Sequence, residues 1–202
     1  MKESELLSQL ADRAALQDLL ATLVRADERG DYDLIVSCYT EDSYDDHGRF
    51  RGTGREFADY ICHQSFSASS RFRHHHLGQS SFEIDGDEAF GETYFVFHME
   101  TETGSIIEGC GRYLDDFVRI DGRWLIKRRR CLEEWTGEVE ARKLPKPADA
   151  LVSHRDERDP LYGGRVRRGN RVGEGAGNFG SPLGHGCSFG CMGRSATAPG
   201  CE

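Results

Sequence analysis

Proline is scarce in this chain, at 5 of 202 residues, and methionine and tryptophan are scarcer, at 3 and 2. No stretch approaches the roughly 20 consecutive apolar residues of a membrane-spanning helix, and the mean hydropathy is -0.62. A membrane-embedded protein is therefore not expected. Positive charge is also short: 26 Lys and Arg against 35 Asp and Glu leave a net charge of -9. That is the wrong sign for a general nucleic-acid binder, which must neutralise phosphate. The N-terminal MKESELLSQLADRAALQDLL carries charge throughout and lacks the separate apolar segment of a signal peptide, so the expected compartment is the cytoplasm. Seven cysteines without tight paired spacing predict neither a disulfide framework nor a zinc site.

Glycine is plentiful but unevenly placed. Residues 163–202 hold 12 of the 24 glycines, with five arginines and two glutamates, so this stretch is +3 and residues 1–162 carry the remaining -12. Its texture, GGRVRRGNRVGEGAGNFGSPLGHGCSFGCMGR, keeps neither a strand nor a helix period, and each glycine costs roughly 1 kcal/mol in a helix. It is expected to form a disordered tail rather than a domain. Arg165, Arg167, Arg168 and Arg171 are where RNA or an acidic partner would bind, and Cys187, Cys191 and His185 where zinc would. A solvated tail is the plainer reading of both. The expected organisation is a body over 1–140, an extension over 141–162 packed on it, and the tail over 163–202.

The body begins with helices. Leu6, Leu7, Leu10, Ala14, Leu16, Leu19, Leu20, Leu23 and Val24 follow a helical spacing, either one long amphipathic helix or two meeting near Leu10. Asp31 caps a short helix that should end near Tyr39. Thr53 and Glu56 have capping-box spacing before a third helix carrying Phe57, Tyr60 and Ile61. After Ser70 the texture turns to four long strands, punctuated by Gly86-Asp87, Gly104 and Asp121-Gly122, as tight antiparallel hairpins require. A short strand at Ser43 to Asp46 is a possible addition. Gly78, Gly91, Gly109 and Gly111 would relieve crowding where long strands bend. The fold class is α+β, with helices closing one side of a curved sheet over a cavity suited to a small ligand.

His74, His75 and His76 are consecutive, so a strand turns the outer two one way and His75 the other. One regular strand cannot assemble them into a compact metal site, and neither a metal nor a cofactor is expected. Asp27 closes the apolar helical face of Leu16, Leu19, Leu20 and Leu23. With Glu28 and Asp31 it reads either as a solvated helix end or as an inward carboxylate. Facing inward, it would orient His75 as a base and stabilise the imidazolium formed on proton abstraction.

The succession RADERGDYDLIVSCYTEDSYDDHGRFRGTGREF, RHHHLGQSSFEIDGDEAFGETYFVF and GRYLDDFVRIDGRWLIKRRR resembles the SnoaL-like branch of the nuclear transport factor 2-like superfamily, over about residues 5 to 140. In pattern it is similar to scytalone dehydratase and the hexachlorocyclohexane dehydrochlorinases. The resemblance implies a cone-shaped barrel, with N-terminal helices packed against a strongly curved antiparallel sheet, a deep apolar pocket and a homotrimer or homodimer. It also implies an aspartate-histidine dyad. The helix aspartate lands on Asp27; the histidine, four residues before the place of an asparagine at Gln79 and seven more before Gly86, lands on His75.

Two features depart from these relatives. Thr22 stands where the dehydrochlorinases carry a lysine, and none of the tyrosines aligns plainly with those that polarise a carbonyl in the dehydratase. Tyr44, Tyr60 and Tyr94 are the candidates for that role, with Tyr39 and Tyr113 also available. Arg128 or Arg130 would enter the pocket to stabilise an oxyanion or leaving group, or would lie on a solvated strand face. The expected function is a lyase or isomerase that abstracts a proton from a small hydrophobic cyclic molecule. The alternative is a noncatalytic binding or assembly subunit, such as the small partner of a large Rieske-type dioxygenase subunit.

Overall fold

Helix α1 runs unbroken from Glu3 to Arg29. Its buried residues Leu16, Leu20, Leu23 and Asp27 recur at the three- and four-residue steps that keep side chains on one helix face. Leu6, Leu7 and Leu10 are exposed instead of extending that stripe. The structure, a computed structural model, describes residues 3–64, 70–140, 143–156 and 158–160, all within one unit, Met1–Arg165. The expected tail over 163–202, with its arginines and the Cys187, Cys191 and His185 group, lies outside the described residues.

Gly30, at φ +66°, closes α1 in the left-handed conformation that glycine adopts without a Cβ penalty. Asp31 then caps α2 (Tyr32–Val36), its Oδ1 accepting from the Leu34 N–H at 3.2 Å. This helix stops short of its expected end because the chain enters strand β1 (Tyr39–Asp46), which is longer than the Ser43 to Asp46 segment expected. A two-residue strand β2 (Arg51–Gly52) precedes α3 (Gly54–Asp59), whose Thr53/Glu56 capping box is formed in both directions. One π turn, Tyr60–Gln64, continues it.

Four long strands follow: β3 (Phe72–Asp85), β4 (Glu88–Glu100), β5 (Ile106–Ile120) and β6 (Arg123–Val139). Asp121 and Gly122 both have positive φ, 51° and 76°, the requirement of the tight turn joining β5 to β6.

The sheet corrects the expected cone-shaped barrel. Its order, β2-β1-β6-β5-β4-β3, leaves β2 and β3 as edges, and β1 runs parallel to β6. The strands therefore form an open mixed sheet, neither closed nor strongly curved, and not wholly antiparallel. Closure would need β2 to carry hydrogen bonding round to β3, and two residues of pairing are too few. Helices complete the enclosure instead, α1 packing on β3 and α3 on β1.

Bulges decide which side chains face the helices. One extra residue in a strand inverts the inside-outside alternation beyond it. On β3 the shift lies between Leu77 and Ser80, so Arg73, His75 and Leu77 share the inner face with Ser80 and Phe82. On β6 Phe117 pairs with Ile126 and Asp116 with Arg128, leaving Lys127 as the extra residue. Trp124 and Ile126 point inward before it, and Arg129 after it. Gly111 faces the second β6 bulge, where a Cβ would lie 2.1 Å from the Leu132 carbonyl oxygen.

Candidate active site

The stripe that buries Leu16, Leu20 and Leu23 carries Asp27 inward with them, leaving it 7% exposed. Across from it, β3 turns Arg73 and His75 toward α1. His74 and His76 lie on the other face, their rings stacked at 4.4 Å. Asp27 Oδ1 accepts a hydrogen bond from Arg73 at 2.6 Å, while Oδ2 lies 4.0 Å from His75 Nε2. The first is a charge-assisted hydrogen bond and the second exceeds hydrogen-bonding range. His75 Nδ1 is buried without a hydrogen-bond partner, 3.7 Å from Glu28 Oε1, and the same oxygen accepts from the His75 backbone N–H. A carboxylate thus flanks each ring nitrogen, and Arg73 neutralises one of the two.

Asp27, Arg73 and His75 border a cavity of about 160 Å³, walled by Phe50, Phe57, Ile61, Phe95, Phe97 and Tyr113. An apolar cavity of roughly 150 Å³ admits a benzene ring. A single six-membered ring fits within it. Tyr60, His47, Arg49, Glu133 and Thr136 add polar and charged groups to the lining.

Asp45 is fully buried, accepting from Tyr39 Oη at 2.6 Å on one oxygen and contacting His47 Nδ1 with the other. The His47 ring stacks on Phe57, with centroids 4.6 Å apart. Behind the Tyr113 wall, Arg129 makes two hydrogen bonds to Asp115, at 2.7 and 2.8 Å, and its guanidinium lies 4.1 Å from the centre of the Tyr113 ring. Burial opposes the charge on Arg129, but Asp115 outweighs it and holds the guanidinium above its ordinary range. Burial pushes the Asp115 carboxyl upward, and Arg129 only partly counters the shift. Burial also pushes the Cys131 thiol up to about 12, so this cavity residue is not a thiolate nucleophile near neutral pH.

Of the candidates singled out in the sequence, Asp27, His75, Tyr60 and Tyr113 line the cavity. Tyr44 and Tyr94 do not: they are 40% and 37% exposed, and Tyr94 packs beneath the Arg112 guanidinium. Arg128 and Arg130 are exposed as well, because the bulge at Lys127 turns Arg129 inward in their place. The sequence reading gives no catalytic role to Arg73, Glu28, Asp45 or His47. Two had a usable signal, since Arg73 stands two residues before His75 and Asp45 two before His47, the spacing that shares one face of an extended chain.

The chain also returns to this site from its C-terminal side. Arg155 donates to the carbonyl oxygens of Glu28 and Asp27, at 3.1 and 3.2 Å, and to Ser70 Oγ at 3.0 Å. It thereby satisfies the Glu28 carbonyl at the end of α1 and reinforces that of Asp27, which the Gly30 N–H also reaches at 3.2 Å. Among the described residues, no three His, Cys, Asp or Glu side chains are grouped to hold a metal, and no helix is long and apolar enough to cross a membrane.

Solved structures share this fold. A hexachlorocyclohexane dehydrochlorinase from Novosphingobium barchaimii is 19% identical, with a TM-score of 0.62 over 70% of this chain and 99% of that one. A putative scytalone dehydratase from Novosphingobium aromaticivorans is 18% identical, with a TM-score of 0.58 over 70% and 97%. A putative aromatic ring hydroxylase from the same species is 21% identical, with a TM-score of 0.59 over 64% and 94%. At these identities the likeness is one of fold. No curated protein matches the sequence. Residues 8–130 match the model of the SnoaL-like domain, and the chain belongs to that family, within the nuclear transport factor 2-like superfamily.

Proposed function

We propose that the protein is a cofactor-independent lyase or isomerase that removes a carbon-bound proton from a small, hydrophobic, single-ring substrate. The observation that carries this reading is the placement of the His75 and Asp27 side chains, 7% and 10% exposed, on the wall of one cavity that also carries five aromatic rings of Phe50, Phe57, Phe95, Phe97 and Tyr113. His75 is the base. A ketone beside the reacting carbon would acidify its proton by delocalising the charge left behind. As the ring becomes an imidazolium, the Asp27 carboxylate closes on it from 4.0 Å and stabilises the new charge. Catalytic hydrogen bonds are often this long before substrate binds. Two structural relatives bear names that denote eliminations, a dehydrochlorinase and a dehydratase, which supports the same reaction class. A cytoplasmic homodimer or homotrimer belongs to this proposal.

The prior hydrogen bond from Arg73 to Asp27 favours a second reading, a noncatalytic subunit that binds the same kind of ring. Deuterium exchange separates the two. With cyclohexanone in D2O, the wild-type protein should accelerate exchange of the protons beside the carbonyl, and His75→Ala should slow it by about 100-fold or more. Cyclohexanone that binds without accelerated exchange would instead identify a binding protein.

A further inference from the structure

Two imidazoles border the cavity, and they approach it from opposite ends of the sheet. His75 lies on edge strand β3, and His47 immediately follows β1, at the other end of the strand order. Asp45 engages His47 Nδ1, and Tyr39 Oη holds the other Asp45 oxygen. Such a chain fixes the orientation of the ring and leaves Nε2 as the nitrogen available to a ligand. Stacking on Phe57 fixes the ring plane.

A purely structural histidine does not account for this arrangement. The turn after β1 is already closed by the backbone, with the His47 N–H donating to the Phe50 carbonyl at 3.0 Å. The side chain keeps 23% of its surface exposed, and it lines the same cavity as His75.

We propose that His47 is a second catalytic residue, which donates a proton from Nε2 to the oxygen leaving the substrate ring while His75 takes the proton from carbon. The proposal rests on the lyase reading above. In the elimination, the C–H bond breaks and its electron pair becomes the new C=C bond, the proton passing to His75. The neighbouring C–O bond breaks with its pair moving to oxygen, which takes the His47 proton and leaves as water. His75 ends protonated and His47 neutral, and exchange with solvent restores both. Asp45 and Tyr39 are positioning residues. A leaving group that is a stable anion needs no proton, so His47 should matter only for a poor one.

The test compares 3-hydroxycyclohexanone with 3-acetoxycyclohexanone, whose eliminations both give cyclohexenone, using the full-length protein. His47→Gln should slow elimination from the hydroxy ketone by about 100-fold and from the acetoxy ketone by no more than about 3-fold. Asp45→Asn should lower kcat for the hydroxy ketone with little change in KM. Equal losses on both ketones, or no loss on either, overturn the role of His47. His75→Ala tests the underlying reading separately, because it should slow both ketones alike. An NMR titration of the 15N-labelled protein with cyclohexanone decides the matter without turnover. The His47 Nε2 signal should shift on binding, and saturation without such a shift overturns the proposal even if neither ketone is consumed.

Discussion

The Arg73 guanidinium holds the Asp27 carboxylate at 2.6 Å, while His75 stands 4.0 Å from its other oxygen. Asp27 is thus already neutralised in the resting site. Replacing Arg73 with methionine would leave a buried carboxylate without its firm partner, a loss of about 3 kcal/mol. Urea denaturation should show the fall in stability.

Asp27→Asn preserves the volume of the side chain and removes its charge. With no carboxylate to stabilise a protonated His75, kcat for proton abstraction should fall by about 100-fold while KM changes little. Steady-state kinetics on a cyclic ketone, with circular dichroism to confirm folding, measure this.

The three consecutive arginines of β6 should differ sharply. Arg128→Ala and Arg130→Ala alter exposed side chains and should change stability by less than about 0.5 kcal/mol. Arg129→Met strands the buried Asp115 carboxylate and should cost about 3 kcal/mol or more. Comparing the midpoints of thermal unfolding tests the contrast.

Alkaline conditions should weaken the fold. Burial raises the Cys38 thiol to about 11 and the Cys131 thiol to about 12, from an ordinary value of 9.0. Between pH 9 and 12 the folded chain therefore holds more protons than the unfolded one, and stability declines as pH rises through that window. Below pH 9 this contribution is fully present. Unfolding free energies at pH 8, 9 and 10 should fall in that order, and both thiols should resist alkylation at pH 8 until the protein is unfolded.

Gly111→Ala places a Cβ 2.1 Å from the Leu132 carbonyl oxygen, a backbone atom that cannot rotate away. The variant should lose about 1–3 kcal/mol through displacement of the β5–β6 ladder. Hydrogen exchange should rise at Arg112 and Leu132, which pair beside the bulge.

Those parts of the site that follow a regular period were legible in the sequence. Asp27 continues a helical stripe already marked by leucines, and strand parity sets His75 opposite His74 and His76, although the family resemblance rather than parity singled out His75. The inward arginine of β6 was not legible, because the run Lys127 to Arg130 contains no glycine or turn residue to mark the bulge that selects Arg129. Similarly, the hairpin turns predict the four-strand meander but not the insertion of β1 beside β6. That parallel pairing joins segments more than 80 residues apart in sequence, a distance over which no local pattern acts. The place of His47 at the cavity was not legible because it depends on Asp45 and Tyr39, whose contacts exist only once β1 has formed.

The clasp made by Arg155 has a consequence for synthesis. Glu28 is translated early, yet its backbone carbonyl waits for a side chain 127 positions downstream, which also adds a second donor to the Asp27 carbonyl already held by the Gly30 N–H. A ribosome releases the chain from its N-terminus, so α1 and the whole β3–β6 meander can emerge before this fastening is available. The end of the helix that presents the candidate carboxylate is consequently among the last parts of the molecule to be locked.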